Sequence, residues 1–186
     1  MTKRRAVERT RLGAWLLKCN PALWDLRGLL ESGEDRLTSW AVQPGYRARL
    51  VAPGDPVLFW VSGGDRQGLP RGIWGLGHAT AEAEQWAETE QGRWRSASAS
   101  HGVRARVEVD VRLLDEPVPD EELRAAGIDR LEVQRQPFMA NPSFVSREEL
   151  AVLRPLLPPW PDPPPPNPDN PNSANDPDNP NREDRA

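Results

Sequence analysis

Pro53-Gly54-Asp55-Pro56-Val57-Leu58-Phe59-Trp60-Val61-Ser62-Gly63, followed after a polar loop by Arg71-Gly72-Ile73-Trp74-Gly75-Leu76-Gly77-His78, decides the fold. The Pro-Gly-Asp corner launches an apolar run too short for a helix and rich in strand formers, and a second such run follows a Gly-rich connection. The pair predicts an antiparallel hairpin with a tryptophan in each arm. Gly72, Gly75 and Gly77 surround Trp74, and glycine inside a strand marks a bulge or a place where a ligand or another backbone comes close. The hairpin is therefore a candidate pocket wall.

Upstream of it, residues 14–19 read as a short buried strand that emerges at Lys18. Asn20 offers an N-cap and Pro21 a first helical position, with Leu23, Trp24, Leu26, Leu29 and Leu30 spaced for one helical face that closes near Gly33. Leu37 to Val42 reads as extended, and Gly45 to Val51 as a turn of helix. Downstream, residues 80–101 are Glu-rich and then Ser-rich, with Trp86 and Trp94 as isolated large apolar residues, and read as one long loop excursion.

From Val103 to Leu114 the apolar residues Val103, Ala105, Val107, Val109, Val111 and Leu113 alternate with Arg104, Arg106, Glu108, Asp110 and Arg112. Strict period two predicts a strand with one buried and one wet face. Pro119-Asp120-Glu121 opens a short helix ending at Gly127, Gln134 to Phe138 reads as extended, and Ser146 with Glu149 forms a capping box before Leu150, Leu153 and Leu156. This order predicts an α+β fold, a small curved β-barrel with flanking helices.

The chain has 186 residues and a formal net charge of −4. That charge is unevenly spread. Over residues 1–10, Lys3, Arg4, Arg5 and Arg9 stand against Glu8, and 1–12 reads as a basic N-terminal arm, while the stretch 158–186 holds two arginines against six acids. The latter is almost free of apolar residues and reads as a disordered Pro/Asn/Asp-rich tail, leaving 13–157 as one folded domain. A mildly acidic body is a poor coat for a long duplex, because non-specific affinity comes from Lys and Arg neutralising phosphates. A lone Cys19 excludes a disulfide framework and a cysteine metal site, and no segment approaches the ~20 apolar residues of a membrane span. The expectation is a cytoplasmic protein that requires no metal and no cofactor.

The hairpin residues, with Trp15-Leu16-Leu17-Lys18-Cys19-Asn20-Pro21 before them and a lone Trp40 between, resemble the EVE domain of the PUA-like superfamily over roughly residues 13–157. Lys18-Cys19-Asn20-Pro21 stands where that family typically has a Lys-Ser-Glu-Pro-like turn. EVE domains are similar in fold to YTH domains, which hold a methylated base in an aromatic cage. The resemblance thus implies a PUA-like fold and a non-catalytic reader of a modified nucleotide in DNA or RNA.

Aromatic faces hold a flat base well, each stacked base being worth about 1–3 kcal/mol. Trp40, Trp60 and Trp74 are the expected walls, although Trp60 and Trp74 read equally as core. Trp40 matches a cage tryptophan by motif order and is expected to be half exposed. Lys18, Cys19, Asn20, Ser62, Gln136 and Asn141 are the groups available to read base edges, with Asn20 also readable as a helix cap and Ser62 as a turn residue. Tyr46 and Arg49 match the Tyr and Arg of the turn after the cage tryptophan in EVE relatives, and Arg49 suits a phosphate or a base edge. Arg93, Arg95, Arg104 and Arg106 with Trp94 and His101 form a basic, aromatic-interleaved cluster of the kind that contacts single strands or flipped nucleotides.

Two other functions compete with this one. The same groove could serve as a protein-interaction module tethered by the tail, and Cys19 with His78 could serve as nucleophile and base of a weak hydrolase. No metal-ligand spacing, P-loop, dinucleotide fingerprint or G-x-S-x-G motif is present.

Overall fold

A computed structural model describes residues 7–63, 68–88, 92–96, 98, 102–139, 141–163 and 165. His101 and most of the acidic tail lie outside the described residues. Seven strands, β1 (Leu12–Cys19), β2 (Arg36–Val42), β3 (Pro56–Val61), β4 (Gly72–Ala79), β5 (Glu84–Glu88), β6 (Gly102–Pro119) and β7 (Ser143–Ser146), form one curved sheet in the order β2-β6-β4-β3-β1-β7, with β5 added to β6. Short helices accompany it, among them α1 (Leu26–Glu31), α2 (Asp120–Ala125), α3 (Glu132–Arg135) and α4 (Arg147–Leu153).

The expected hairpin is present, with Val57 opposite Gly77 and Phe59 opposite Gly75 in antiparallel register. Its glycines make room for backbone. A Cβ built at Gly77 lies 1.8 Å from the Asp110 carbonyl oxygen, and one at Gly75 lies 2.8 Å from Val111, so β6 occupies the surface where a ligand was expected. The Pro-Gly-Asp corner has a second role. The Asp55 carboxylate accepts from the Trp15 indole N–H and the Ala52 amide, each at 2.9 Å, and pairs with Arg9. An otherwise orphaned buried indole is thereby satisfied.

Alternation along the strands divides the apolar residues into two layers. Trp15, Leu17, Val57, Phe59, Val61, Val107, Val109 and Val111 share one face with Trp40 and α1. Leu16, Leu58, Trp60, Ile73 and Leu76 occupy the other, under Leu123, Leu131, Val133, Leu150 and Leu153 of the α2–α4 region. Bulges between Phe59 and Trp60 and between Ile73 and Gly75 shift register inside the hairpin and bend it.

Several expectations need correction. The sheet is mixed, because β1 runs parallel to β3 with Cys19 beside Val61, and among the described residues no strand pairing closes it into a barrel. Its edges are instead stitched by loop and side chain, described below. The excursion at 80–101 contains β5, which continues along the edge of β6 that β4 occupies further on. The helix after β1 starts late. Asn20 folds a turn, accepting from the Ala22 amide on Oδ1 and from the Leu23 and Trp24 amides on its carbonyl, and Asp25 caps α1 by accepting from Gly28. Of the stretch Gln134 to Phe138, expected to be extended, Gln134 and Arg135 instead belong to α3, because Gln134 turns back to accept from the Leu131 amide at 2.8 Å and donates to Ile128 and Asp120. Finally, the body does not stop at Pro158: the Trp160 indole donates to the Gly77 carbonyl at 2.9 Å and its ring meets His78 edge-on at 6.4 Å.

Candidate functional site: an aromatic cavity at the end of β1

The sheet leaves a cavity of about 440 Å³ where β1 ends, of the size that holds small ligands. Lys18 and Asn20 form one side, Ser39 to Val42 of β2 with the following Gln43 a second, and Arg104 and Arg106 of β6 a third. Leu23, Trp24, Trp94 and Asn141 complete it. Trp40 is only 8% exposed and sits on Phe59, ring centres 4.8 Å apart at 83°. Trp24 meets Trp40 at 4.9 Å and 69°, so the two indoles form a corner rather than a parallel slot. A flat ring that stacks on one presents its edge to the other.

Trp94 is carried by a segment fastened to the turn before α1. Trp24 and Trp94 form a bridge, the Asp25 amide donates to the Arg93 carbonyl and the Arg95 amide to the Leu23 carbonyl, both at 2.8 Å. Arg93 pairs with Glu34, and Arg95 with Asp25 at 2.8 Å. These two members of the basic cluster hold the segment in place, while Arg104 lies over the Trp94 ring at 4.4 Å and Arg106 binds Glu108 through Nε at 2.6 Å. No carboxylate lines the cavity among the described residues.

The floor is stitched by Asn141. Its Oδ1 accepts from the Lys18 amide at 3.0 Å, its Nδ2 donates to the Ala41 carbonyl at 3.2 Å, and its carbonyl accepts from the Gln43 amide at 2.9 Å. One residue thus links the end of β1 to edge strand β2, which the sheet order leaves apart. The Lys18 ammonium donates to the Pro137 and Met139 carbonyls. Burial lowers its pKa from the ordinary lysine value and Arg47 adds to that, against an opposing pull from Glu132. Arg47 forks onto Glu132 at 2.7 and 2.8 Å, and Glu132 also accepts from the Phe144 amide at 2.7 Å.

Of the residues expected in the site, Lys18, Asn20, Trp40 and Asn141 line this cavity and the rest do not. Trp60 is wholly buried on the opposite face, as the parity of β3 requires once Phe59 lies under Trp40, and Trp74 is core, its indole donating to the Pro70 carbonyl at 2.8 Å. Cys19 is 1% exposed, and burial pushes its thiol pKa well above the ordinary value. Its carbonyl accepts from Ser62 Oγ at 3.0 Å, which accounts for that serine. Tyr46 accepts from Arg47 Nε at 3.3 Å, and Tyr46, Arg49 and Gln136 are exposed outside the cavity lining.

The Cys19 and His78 pairing is also overturned. Cys19 sits beside Val61 and His78 beside Pro56, five residues apart on β3, which is roughly 16 Å of strand. The sequence reading missed Trp24 as a wall, having assigned it to a helix face. A Trp following an Asn-Pro turn was the available signal.

The domain thus combines an α+β fold with an aromatic cavity, bordered by Arg104 and Arg106, at the end of β1. The EVE domain family matches residues 13–154, and the chain belongs to that family. Among solved structures the fold is similar to a protein from Pseudomonas putida, with 20% identity over 77% of this chain and 98% of that one and a TM-score of 0.52. It is also similar to a hypothetical protein from Leishmania major, with 18% identity over 80% of this chain and 96% of that one and a TM-score of 0.51. Human THYN1, solved in complex with 5-methylcytosine containing DNA, has 17% identity over 78% of this chain and 99% of that one, with a TM-score of 0.45. No curated protein matches the chain.

Proposed function

We propose that this EVE domain binds nucleic acid by accepting one modified base into the cavity at the end of β1, without chemistry on it. The observation that carries this reading is the lining itself: Trp24, Trp40 and Trp94 are in the wall together with Arg104 and Arg106, and among the described residues no carboxylate is. A neutral base stacks there and its phosphate meets guanidinium. Asn20, Ser39 and Gln43 supply neutral polar groups at the rim for reading the base edge.

The test is a panel of modified and unmodified nucleosides, then oligonucleotides of DNA and RNA that include 5-methylcytosine DNA, titrated by tryptophan fluorescence and calorimetry. One modified base should bind at least tenfold more tightly than its unmodified parent, and Trp94→Ala should abolish the difference. Equal affinity for modified and unmodified strands, or no binding of any member, overturns the reading.

A further inference from the structure

Phe138 is the most exposed large apolar side chain among the described residues, at 100%. A lone surface phenylalanine needs no explanation by itself. This one is displayed by a braced loop. Its turn is closed by the Met139 amide donating to the Gln136 carbonyl at 2.9 Å, and the carbonyls on either side of Phe138, those of Pro137 and Met139, both accept from the one ammonium of Lys18. Lys18 lines the cavity. The ring therefore stands at the tip of a turn fixed to the cavity wall by a single lysine side chain. Arg135 leads into that turn from the exposed end of α3, and the Arg47–Glu132 fork holds the turn bearing Tyr46 and Arg49 against the same helix.

An apolar tip on a turn tied to a residue of a base-sized cavity's wall fits a duplex from which the base has been drawn. Extruding a base leaves a gap in the stack, and unstacking costs a few kcal/mol unless something fills that gap. Phenylalanine is among the side chains that proteins insert between base steps as wedges. Resting on the proposed pocket reading, we infer that the partner is double-stranded nucleic acid and that Phe138 enters the stack in place of the base held in the cavity. Arg135 and Arg49 are placed for the flanking phosphates.

The experiment compares the full chain with Phe138→Ala and Phe138→Trp on a 5-methylcytosine DNA strand, alone and in a duplex carrying 2-aminopurine next to the modified base. Because the side chain is wholly exposed, the variants should melt as the parent does. Phe138→Ala should hold the single strand within about twofold, bind the duplex at least tenfold more weakly, and lose the 2-aminopurine brightening that reports unstacking. Phe138→Trp should restore duplex binding, and a duplex with an abasic site opposite the methylcytosine should lose less than the paired one. Equal loss on both forms, or no loss on either, overturns the wedge while leaving the pocket standing. Failure of the parent chain to bind either form overturns the wedge, and the pocket reading falls with it only if no other modified base of the panel binds.

Discussion

The indole N–H of Trp40 donates to the backbone carbonyl of Lys18 at 3.1 Å, so the deepest aromatic wall of the cavity is also a tie between β2 and the end of β1. With Phe59 beneath it and Trp24 at its edge, Trp40 belongs to the core as much as to the site. Trp40→Ala should therefore cost about 3–5 kcal/mol in a urea melt, as truncation of a buried Trp does. Trp94→Ala, at a half-buried ring, should cost far less and affect ligand binding instead. Similar stability losses in both variants would mean that Trp94 is also structural.

Asn141 makes a comparable tie with its amide. Asn141→Ala leaves the Lys18 amide and the Ala41 carbonyl without their partner and should cost about 1–3 kcal/mol. Asn141→Asp should cost more, since a carboxylate cannot donate to Ala41 and would face carbonyl oxygen. If chemical denaturation finds the Asp variant as stable as the parent, the stitch contributes nothing.

What the sequence made legible was local and periodic. The alternation from Val103 to Leu113, the Pro-Gly-Asp corner and the Ser146–Glu149 capping box each depend on neighbours within a few residues, and each is present. What stayed hidden depends on distant partners. Nothing near Trp15 announces that β1 runs parallel to β3, and the short β5 has no pattern of its own until β6 lies beside it. The site was half legible for the same reason: Lys18, Asn20, Trp40 and Asn141 meet across 123 residues of chain, whereas Trp60 was removed from it by strand parity. Carrying that parity along β3 would have separated Phe59 from Trp60 in advance.

Trp160 makes a sharp prediction about where the domain ends. Truncation after Leu157 removes the indole that bonds Gly77 and packs on His78, and should lower the melting temperature by several degrees. Truncation after Pro165 should leave it unchanged, because the remaining residues carry no periodic apolar pattern. Equal melting of the two truncated chains would mean that the Trp160 contact is without energetic weight.

Glu132 sets part of the acid limb of stability. Burial by itself raises its pKa, but the Arg47 fork and the Phe144 amide outweigh burial and leave it below the ordinary value of 4.5. A carboxylate lowered on folding stabilises fully above its unfolded pKa and loses that contribution as pH falls through the folded value. Stability should thus drop below about pH 4.5, and Glu132→Gln should flatten the curve there while lowering the plateau at neutral pH. An unchanged acid slope in Glu132→Gln would assign the limb to other groups.

Salt dependence measures how much of the affinity is phosphate. A site bordered by a few arginines on an acidic body should contact about two or three phosphates, giving a slope of log affinity on log salt of about −2 to −3. Reversing Arg104 and Arg106 to Glu should weaken an oligonucleotide at least tenfold and an uncharged nucleoside only about threefold. A slope much steeper than this in the parent chain would describe a backbone coat rather than a base pocket.

The stitch at Asn141 also has a consequence during synthesis. Lys18 emerges from the ribosome early and its partner more than a hundred residues later, so the cavity floor is closed only when the segment before β7 has been made. A nascent chain stalled after β6 can pair most of its strands and still have no site.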